Sequence, residues 1–357
     1  ITGPCPGFEH LRRLFDPAAT EPKKILYLVN SSGGVLFDIQ IIRALIRQGH
    51  QVILAFKTGF YFQTPAIWDL DHDPILAKAL AGAHVLTENR ATKNDLLKTL
   101  RESQLVVISD GTRERLNLYR TSVTFARAWK EADLVIAKGI PHVRRLIKTG
   151  NRFTRDIICF ARDLDGQFRL FYEPKPEHVH KYTEADLKIQ AGQIISSMRE
   201  AKQAGKSVMF YSAIVGSIPG QTQTAIKVLN TFVNWLRARQ EHAFIINPAE
   251  HFLPGMDGDD LMYMWERVQR SGLINVWRFQ SVSDIERSFE LMGQKVPPMW
   301  VGKDATYSTG CTKEMRIALD TQARHPELQI IGPNPEKFFR RREYGVGKYF
   351  DVTIEYH

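Results

Sequence analysis

The sequence has few cysteines and no long apolar run. Its three cysteines, Cys5, Cys159 and Cys311, are odd in number and widely separated, and no CxxC pair occurs in the 357 residues. This usage excludes a disulfide framework and favours a reducing compartment. No apolar run approaches the roughly 20 residues that a membrane-spanning helix needs. We therefore expect a cytoplasmic protein that has no membrane partner.

The sequence also lacks a dense block of charge, although it is basic overall. Lys and Arg number 48 and Asp and Glu 39, which gives a formal net charge of +9. The densest runs are Arg340–Arg342 and the Arg144-Arg145 pair, and neither has the interleaved aromatic residues of a single-strand binder. Nucleic acid is therefore disfavoured as a partner, and a small anionic or phosphorylated ligand is favoured. The oligomeric state is left open.

Length and composition indicate two globular domains. The hydrophobic share of 43% and the charged share of 24% exclude disorder and collagen. At roughly 100–200 residues per domain, the length predicts two domains. A polar stretch with proline, EPKPEHVHKYTEADLK, places the boundary near residue 180 and predicts domains 1–180 and 181–357, the second with an extended C-terminal tail. The sequence begins at Ile1 rather than at Met, as a fragment or a processed product does.

Short β-rich apolar runs alternate with helical patterns along the whole chain. This alternation predicts an α/β fold, with a three-layer, doubly wound, mainly parallel sheet followed by a second, smaller α/β domain. The strands predicted in the first domain are Ile25–Val29, Gln51–Phe56, His84–Leu86, Leu105–Ser109, Leu134–Ala137, Ile157–Ala161 and the edge strand Phe168–Tyr172. Those predicted in the second are Val208–Ile214, Phe244–Asn247, Asn275–Phe279, Met299–Val301 and Gln329–Ile331.

Small and polar residues follow several predicted strands of the first domain. Ligands of open α/β sheets collect beyond the carboxyl ends of the strands. The turn after the first strand precedes a helix predicted over Asp38–Arg47, and the start of a helix attracts anions. The predicted anion-binding residues are Ser32, Gly33, Ser109 and Lys138. The alternative is that strand-to-helix turns require Gly and Ser for their backbone geometry alone.

Two segments of the first domain resemble a known family. They are ILYLVNSSGGVLFD, continued by IIRALIRQGHQVILAFKTG, and ADLVIAKG with DIICFARD after it. With them, residues about 23–175 resemble the metal-dependent damage-control phosphatases, a family first catalogued as a domain of unknown function that includes carbohydrate-phosphate and phosphopantetheine phosphatases. The resemblance implies a site for Mg²⁺ or Mn²⁺, with Ni²⁺ or Co²⁺ as alternatives. It implies Asn30, Ser31 and Asp69 as the metal ligands.

The resemblance also implies catalytic roles. Lys138 corresponds to the lysine that grips the phosphate, Asp69 anchors the ion, and Asp110 is the candidate general base. The chain departs from the family at two places: Asn30-Ser31 stands where the family has Asp-Asn, and His142 stands where the family has Asn. The first departure removes one negative charge from the ion, and sites for these ions rely on carboxylates.

The second domain has polar loops of its own. The segment from Gly216 to Thr222 precedes a long helix, and Glu250 and His251 are followed by an Asp cluster at 257–260 that either binds a cation or caps a helix through Asp259 or Asp260. Lys303 lies in a polar loop before another helix and is predicted to bind an anion. Cys311, at that helix start, is either a reactive thiol or a packing residue.

Three functions are compatible with these features. The first is a metal-assisted hydrolase of a small phosphate ester or phosphosugar. The second is a non-catalytic domain that binds a phosphorylated metabolite or acts as a scaffold after loss of the metal site. The third is a transfer enzyme for an anionic substrate whose active site lies in the second domain.

Overall fold

The structure is a computed structural model that describes residues 7–16, 18, 21–162, 165–340 and 350. Two units separate in it after His180. The first contains the described residues up to His180 together with Phe350, and the second begins at Lys181. None of the helices in these ranges is long and apolar enough to cross a membrane. The cytoplasmic location stays a prediction.

The first unit is built on a seven-stranded sheet. Its strands are β1 (Lys24–Leu28), β2 (Gln51–Phe56), β3 (His84–Leu86), β4 (Leu105–Ser109), β5 (Leu134–Lys138), β6 (Asp156–Arg162) and β7 (Phe168–Glu173). The order across the sheet is β3-β4-β2-β1-β5-β6-β7. All neighbours are parallel except β6 and β7, which are antiparallel. The predicted edge strand is therefore confirmed.

Helices cover both faces of this sheet. They are α1 (Phe8–Arg13), α2 (Ser32–Arg47), α3 (Asp69–His72), α4 (Pro74–Ala79), α5 (Lys93–Glu102), α6 (Val123–Glu131) and α7 (Ile140–His142), with a 3₁₀ turn at Leu118–Arg120 and a π-helical turn at Val143–Ile147. Successive strand residues point to opposite faces. Tyr27 packs in one core cluster with Ile39 of α2, whereas Leu26 packs in the other with Trp129 of α6. This arrangement confirms the three-layer α/β prediction.

The second unit has a smaller, four-stranded sheet. Its strands are β8 (Ser207–Ser212), β9 (Ala243–Ile246), β10 (Val276–Phe279) and β11 (Gln329–Ile331), in the order β11-β10-β8-β9 and all parallel. Its helices are α8 (Glu184–Gln203), α9 (Thr222–Arg237), α10 (Gly258–Gln269), α11 (Val282–Leu291), α12 (Thr309–Arg324) and α13 (Pro335–Phe339), with 3₁₀ turns at Pro248–His251, Pro298–Trp300 and Ala305–Tyr307. The prediction of a second, smaller α/β unit is confirmed.

Two predicted elements differ from the structure. Met299–Val301 is not a strand but part of a 3₁₀ turn and the residues after it. Pro297 and Pro298 precede it, and proline lacks the N–H that a central strand donates. Helix α2 begins at Ser32, six residues before the predicted start, because the buried face of Ile39 extends back to Val35 at helical spacing.

The chain end returns to the first unit at one described residue. Phe350 is buried beside Phe125 and Trp129, with ring centroids 6.3 and 5.4 Å away. Its carbonyl accepts a hydrogen bond from the Thr154 amide at 3.0 Å. The rest of the predicted extended tail, residues 341–349 and 351–357, lies outside the described residues, as does Cys5.

Candidate functional site

A cavity of about 720 Å³ opens at the carboxyl edge of the first sheet. Residues after β1, β2 and β5 line it, which is where a doubly wound sheet collects ligands. Because β2 lies on one side of β1 and β5 on the other, the edge includes the point at which the strand order reverses. The lining residues are Val29, Asn30, Ser31, Lys57, Tyr61, Phe62, Gln63, Thr64, Arg115, Leu116, Pro141, His142, Arg144 and Arg145.

Asn30 and Gly139 are in close contact at this edge. Asn30 follows β1 and Gly139 follows the neighbouring β5. A Cβ atom at Gly139 would lie 2.6 Å from Asn30 Cγ, and the φ of Gly139 is +98°, which favours glycine. The predicted Lys-Gly turn therefore has a structural requirement for its glycine, which allows the amide of Asn30 to pack against the β5 turn.

Lys138 is held by a buried carboxylate. Its Nζ donates to Asp38 Oδ1 at 2.7 Å and to the Gly34 carbonyl at 3.1 Å. The Tyr27 hydroxyl donates to the same Asp38 oxygen at 3.0 Å. Burial raises the pKa of Asp38 and outweighs the lowering by Lys138. Lys138 does not line the cavity. Its positive charge is instead paired with the carboxylate of Asp38.

A second ion pair lies between β2 and β4. Lys57 Nζ is 2.6 Å from Asp110 Oδ2 and 3.1 Å from Thr112 Oγ1. The other oxygen of Asp110 accepts bonds from the amide and hydroxyl of Thr112 at 2.8 and 3.0 Å. Burial raises the pKa of Asp110 against the effect of Lys57. Lys57 lines the cavity, whereas both oxygens of its partner are engaged behind it.

Three arginines make the cavity basic. Arg115 and Arg144 are exposed and have no hydrogen bond or ion pair within the described ranges. Arg145 donates to the carbonyl of Leu116 and has no carboxylate partner there. Among the residues that the structure describes, the lining contains no Asp or Glu. The cavity is therefore built for an anion.

His142 lines the same cavity as a neutral imidazole. Desolvation first, and then the charges of Lys57 and Arg145, lower the pKa of His142 to about 4 against the effect of the Lys138 carbonyl. Its Nδ1 lies 2.7 Å from that carbonyl, which can only accept, so Nδ1 carries the proton. Nε2 is therefore left with a lone pair.

The remaining predicted residues of the first unit lie around the cavity without lining it. The Ser32 amide and hydroxyl both donate to the Gln63 carbonyl at 2.6 and 2.9 Å. Gly33 lies in the first turn of α2 with open space at its Cβ position. The buried Ser109 hydroxyl accepts from the Gly111 amide at 3.0 Å. The roles predicted for these residues stay predictions.

The predicted metal ligands are separated. Asn30 and Ser31 line the cavity, but Asp69 does not, and its carboxylate accepts a hydrogen bond from the Ala66 amide at 2.9 Å. No group of three or more His, Cys, Asp or Glu suited to a metal ion occurs within the described ranges. An amide and a hydroxyl beside four basic side chains are a poor donor set for Mg²⁺ or Mn²⁺. The residues present therefore do not fit the ion that the resemblance implies.

Residues 7–167 match the damage-control phosphatase ARMT1-like domain. The resemblance predicted from the sequence is thereby confirmed for this part of the chain. A DUF89 family protein from Pyrococcus horikoshii is similar at 24% identity, over 42% of this chain and 43% of that chain, with a TM-score of 0.28. This chain thus covers less than half of that protein. No curated protein matches the chain.

The first unit contains candidate site residues that sequence reasoning missed. Lys57 and Arg115 were not predicted as site residues, and Asp38 was noted only as a helix residue. Asp38 had a detectable signal, because it shares the buried helix face of Ile42 and Leu45 at spacings of four and seven. Arg144 and Arg145 were noted for charge density, but nothing in their spacing indicated a cavity.

In the second unit, the predicted lysine has a local contact. Lys303 Nζ lies 3.8 Å from the centroid of the Tyr307 ring, and Lys303 does not line the cavity of about 530 Å³ found in this unit. The acidic cluster forms a helix cap: Asp257, rather than Asp259 or Asp260, accepts from the first-turn amides of α10. The Asp260 carboxylate completes the cap by accepting a hydrogen bond from the Asp257 amide at 3.4 Å.

The other candidates of the second unit are also in structural contacts. Cys311 is buried, and burial and then Glu314 raise the pKa of its thiol well above the usual value. The expected lowering by the helix start is therefore wrong, because desolvation outweighs the helix dipole. His251 packs edge-on against Trp265 with centroids 5.4 Å apart, as expected of a packing residue.

Proposed function

We propose that the ARMT1-like domain binds a small phosphate ester in the basic cavity. The observation that carries this proposal is the lining of the cavity, whose described residues include one lysine and three arginines but no carboxylate. The match to a phosphatase domain supports phosphate esters as the ligand class. A cavity of this size suits a small ligand rather than a macromolecule.

The two unpaired guanidinium groups are the strongest candidates for the phosphate contact. Arg115 and Arg144 have no carboxylate partner among the described residues, so a bound phosphate does not have to displace an ion pair seen there. A guanidinium presents two parallel N–H donors to a phosphate, and such charged bonds are about twice as strong as neutral ones. Lys57, neutralised by Asp110, adds hydrogen bonding more than net charge.

The first turn of α2 supports the same ligand. Its leading amides have no acceptor within a helix, and the helix start carries about half a positive charge. The Ser32 amide is taken by Gln63. Asn30 and Ser31, which line the cavity, add an amide and a hydroxyl that can donate to phosphate oxygens.

The test is calorimetric titration of the full chain with ribose 5-phosphate in the presence of EDTA. We expect Arg144→Ala to weaken binding about tenfold, the value of one charged hydrogen bond. Arg113→Ala is the control, because Arg113 is an exposed arginine close to Arg115 in the chain that does not line the cavity. Equal losses in the two variants, or no binding by the wild type, would overturn the proposal.

Hydrolysis of the bound ester is a second candidate function, and His142 is the observation that favours it. His142 lines the cavity and its Nε2 carries a lone pair, whereas both oxygens of Asp110 are engaged by Lys57 and Thr112. A water molecule beside the phosphate could therefore give its proton to His142. General-base catalysis contributes about a hundredfold or more.

Phosphate release from ribose 5-phosphate tests this second candidate. His142→Gln should lower kcat about a hundredfold while KM changes little, if the imidazole accepts the proton. Binding without any release by the wild type would leave the domain as a binding module.

A further inference from the structure

Three consecutive aromatic residues follow β2, and two of them face the basic cavity. Tyr61 and Phe62 belong to its lining, whereas Phe60 does not. Phe62 is 76% exposed and Phe60 is 71% exposed, although both are large apolar side chains. Exposed aromatic rings beside a pocket are typical of ligand contacts.

The segment that carries these rings, residues 59–65, is held in place by the chain around it. The amide and hydroxyl of Ser32 both donate to the Gln63 carbonyl, and the Thr64 amide donates to the Tyr61 carbonyl at 3.0 Å. The Lys57 amide donates to the Pro65 carbonyl at 2.9 Å. The aromatic rings are therefore presented by an ordered turn.

Phe62 has a strained backbone. Its φ is +47°, the one positive value at a non-glycine residue in the part of the chain that the structure describes. A bulky residue rarely adopts this conformation, and such strain persists where the surrounding contacts impose it, often at ligand sites. In this protein, the strained backbone of Phe62 places an apolar ring in a solvent-exposed position beside the cavity.

The Tyr61 ring lies next to the ammonium group of Lys57, and the Phe62 ring packs against Tyr61. The Tyr61 ring centroid is 5.5 Å from Lys57 Nζ, and the Tyr61 and Phe62 centroids are 5.0 Å apart at 79°. This edge-to-face pair leaves most of the Phe62 ring surface uncovered. Because Phe62 and the three arginines line the same cavity, a ligand whose phosphate lies on the arginines can extend to the Phe62 ring.

We propose that Phe62, supported by Tyr61, stacks on a planar aromatic ring of the bound phosphate ester, and that the ligand class is a nucleoside monophosphate. This inference rests on the proposed function and adds the organic part of the ligand. The described lining contains only three aliphatic residues, Val29, Leu116 and Pro141, which is little apolar surface for an alkyl chain. Aromatic rings and guanidinium groups both stack on nucleobases.

The experiment compares AMP, ribose 5-phosphate and inorganic phosphate as ligands of the full chain by calorimetry. We expect AMP to bind about tenfold or more tightly than ribose 5-phosphate, because stacking on one base adds that much. Phe62→Ala should remove the difference and leave ribose 5-phosphate within about twofold. Phe62→Trp, which keeps a ring, should retain the difference, and Phe60→Ala should change neither affinity.

The outcomes separate this inference from the function on which it rests. Equal affinity for AMP and ribose 5-phosphate would overturn the stacking alone. An equal effect of Phe60→Ala and Phe62→Ala, or a changed oligomeric state in Phe62→Ala with the AMP preference intact, would also overturn it. Failure of all three ligands to bind would overturn the proposed function and the inference together.

Discussion

Lys138 Nζ lies 2.7 Å from Asp38 Oδ1, and this ion pair joins the end of β5 to the buried face of α2. The side chain of Asp38 is 1% exposed and that of Lys138 is 25% exposed. The lysine that the family resemblance assigns to phosphate is thus neutralised by a carboxylate 100 residues earlier in the chain. The cavity draws its positive charge from the arginines instead.

The ion pair should contribute to stability. We expect Lys138→Met to lower the free energy of unfolding by about 3 kcal/mol, because it leaves a buried carboxylate without its cation. The double variant Asp38→Asn with Lys138→Met should recover much of this loss, since asparagine keeps an acceptor for the Tyr27 hydroxyl. Urea unfolding at neutral pH measures both. Equal losses in the single and double variants would contradict the pairing.

Gly139 should be sensitive to the smallest substitution. Gly139→Ala places a Cβ 2.6 Å from Asn30 Cγ on a left-handed backbone, so we expect a loss of about 2–3 kcal/mol and weaker phosphate binding. Gly82→Ala is the matched control, because Gly82 has φ +85° and open space. It should cost about 1 kcal/mol and leave binding unchanged. Identical behaviour of the two variants in unfolding and titration would argue against the Asn30 contact.

His142 should make the protein less stable in acid. Its pKa is lowered to about 4, whereas an unfolded histidine titrates near pH 6.5. Between these values the unfolded chain holds a proton that the folded chain does not, so the free energy of unfolding falls as the pH falls through this window. In the His142→Gln variant, the free energy of unfolding should decrease less over this pH range than in the wild type.

Urea unfolding at about pH 7 and about pH 4.5 measures this difference. His84→Gln, at an exposed position of β3, serves as the control and should follow the wild type. If His142→Gln and the wild type lose stability in parallel, the lowered pKa is wrong.

Chelation should leave phosphate binding intact. No carboxylate lines the cavity in the part of the chain that the structure describes, so we expect EDTA to leave the affinity for ribose 5-phosphate within about twofold of its original value. Mn²⁺ and Asp69→Ala should have equally small effects, and Asp71→Ala, exposed on the same short helix, is the control. A Mn²⁺-dependent gain in affinity that Asp69→Ala alone abolishes would instead support the ion implied by the family.

Much of the fold was predictable because apolar periodicity is a local property. The strand Gln51–Phe56 was predicted with its exact bounds. A short continuous apolar run bounded by Gly49 and Lys57 predicts a buried strand in an α/β chain. The segment Met299–Val301 failed because its apolar residues also suit a turn that buries Trp300 against Phe289. The two prolines before this segment favour the turn over the strand.

The site was predictable only in part. The carboxyl edge of the sheet and its residues Asn30 and Ser31 follow from strand order, and both line the cavity. Strand order does not show whether Asp38 or Asp69 contacts Lys138, because both residues follow strands that end at this edge. The contact of Asp38 with Lys138 arises from the packing of α2 against the sheet.

The sequence alone determined the alternation of strands and helices, the family resemblance and the edge of the sheet at which a ligand collects. Each of these depends on residues only a few positions apart. The tertiary structure determined which basic side chains form ion pairs with carboxylates and which remain available to a ligand. Lys57 and Lys138 are paired with carboxylates 53 and 100 residues away, while Arg115 and Arg144 have no such partner within the described ranges. Ion pairing depends on distances of a few ångströms between distant segments, and no local pattern specifies them.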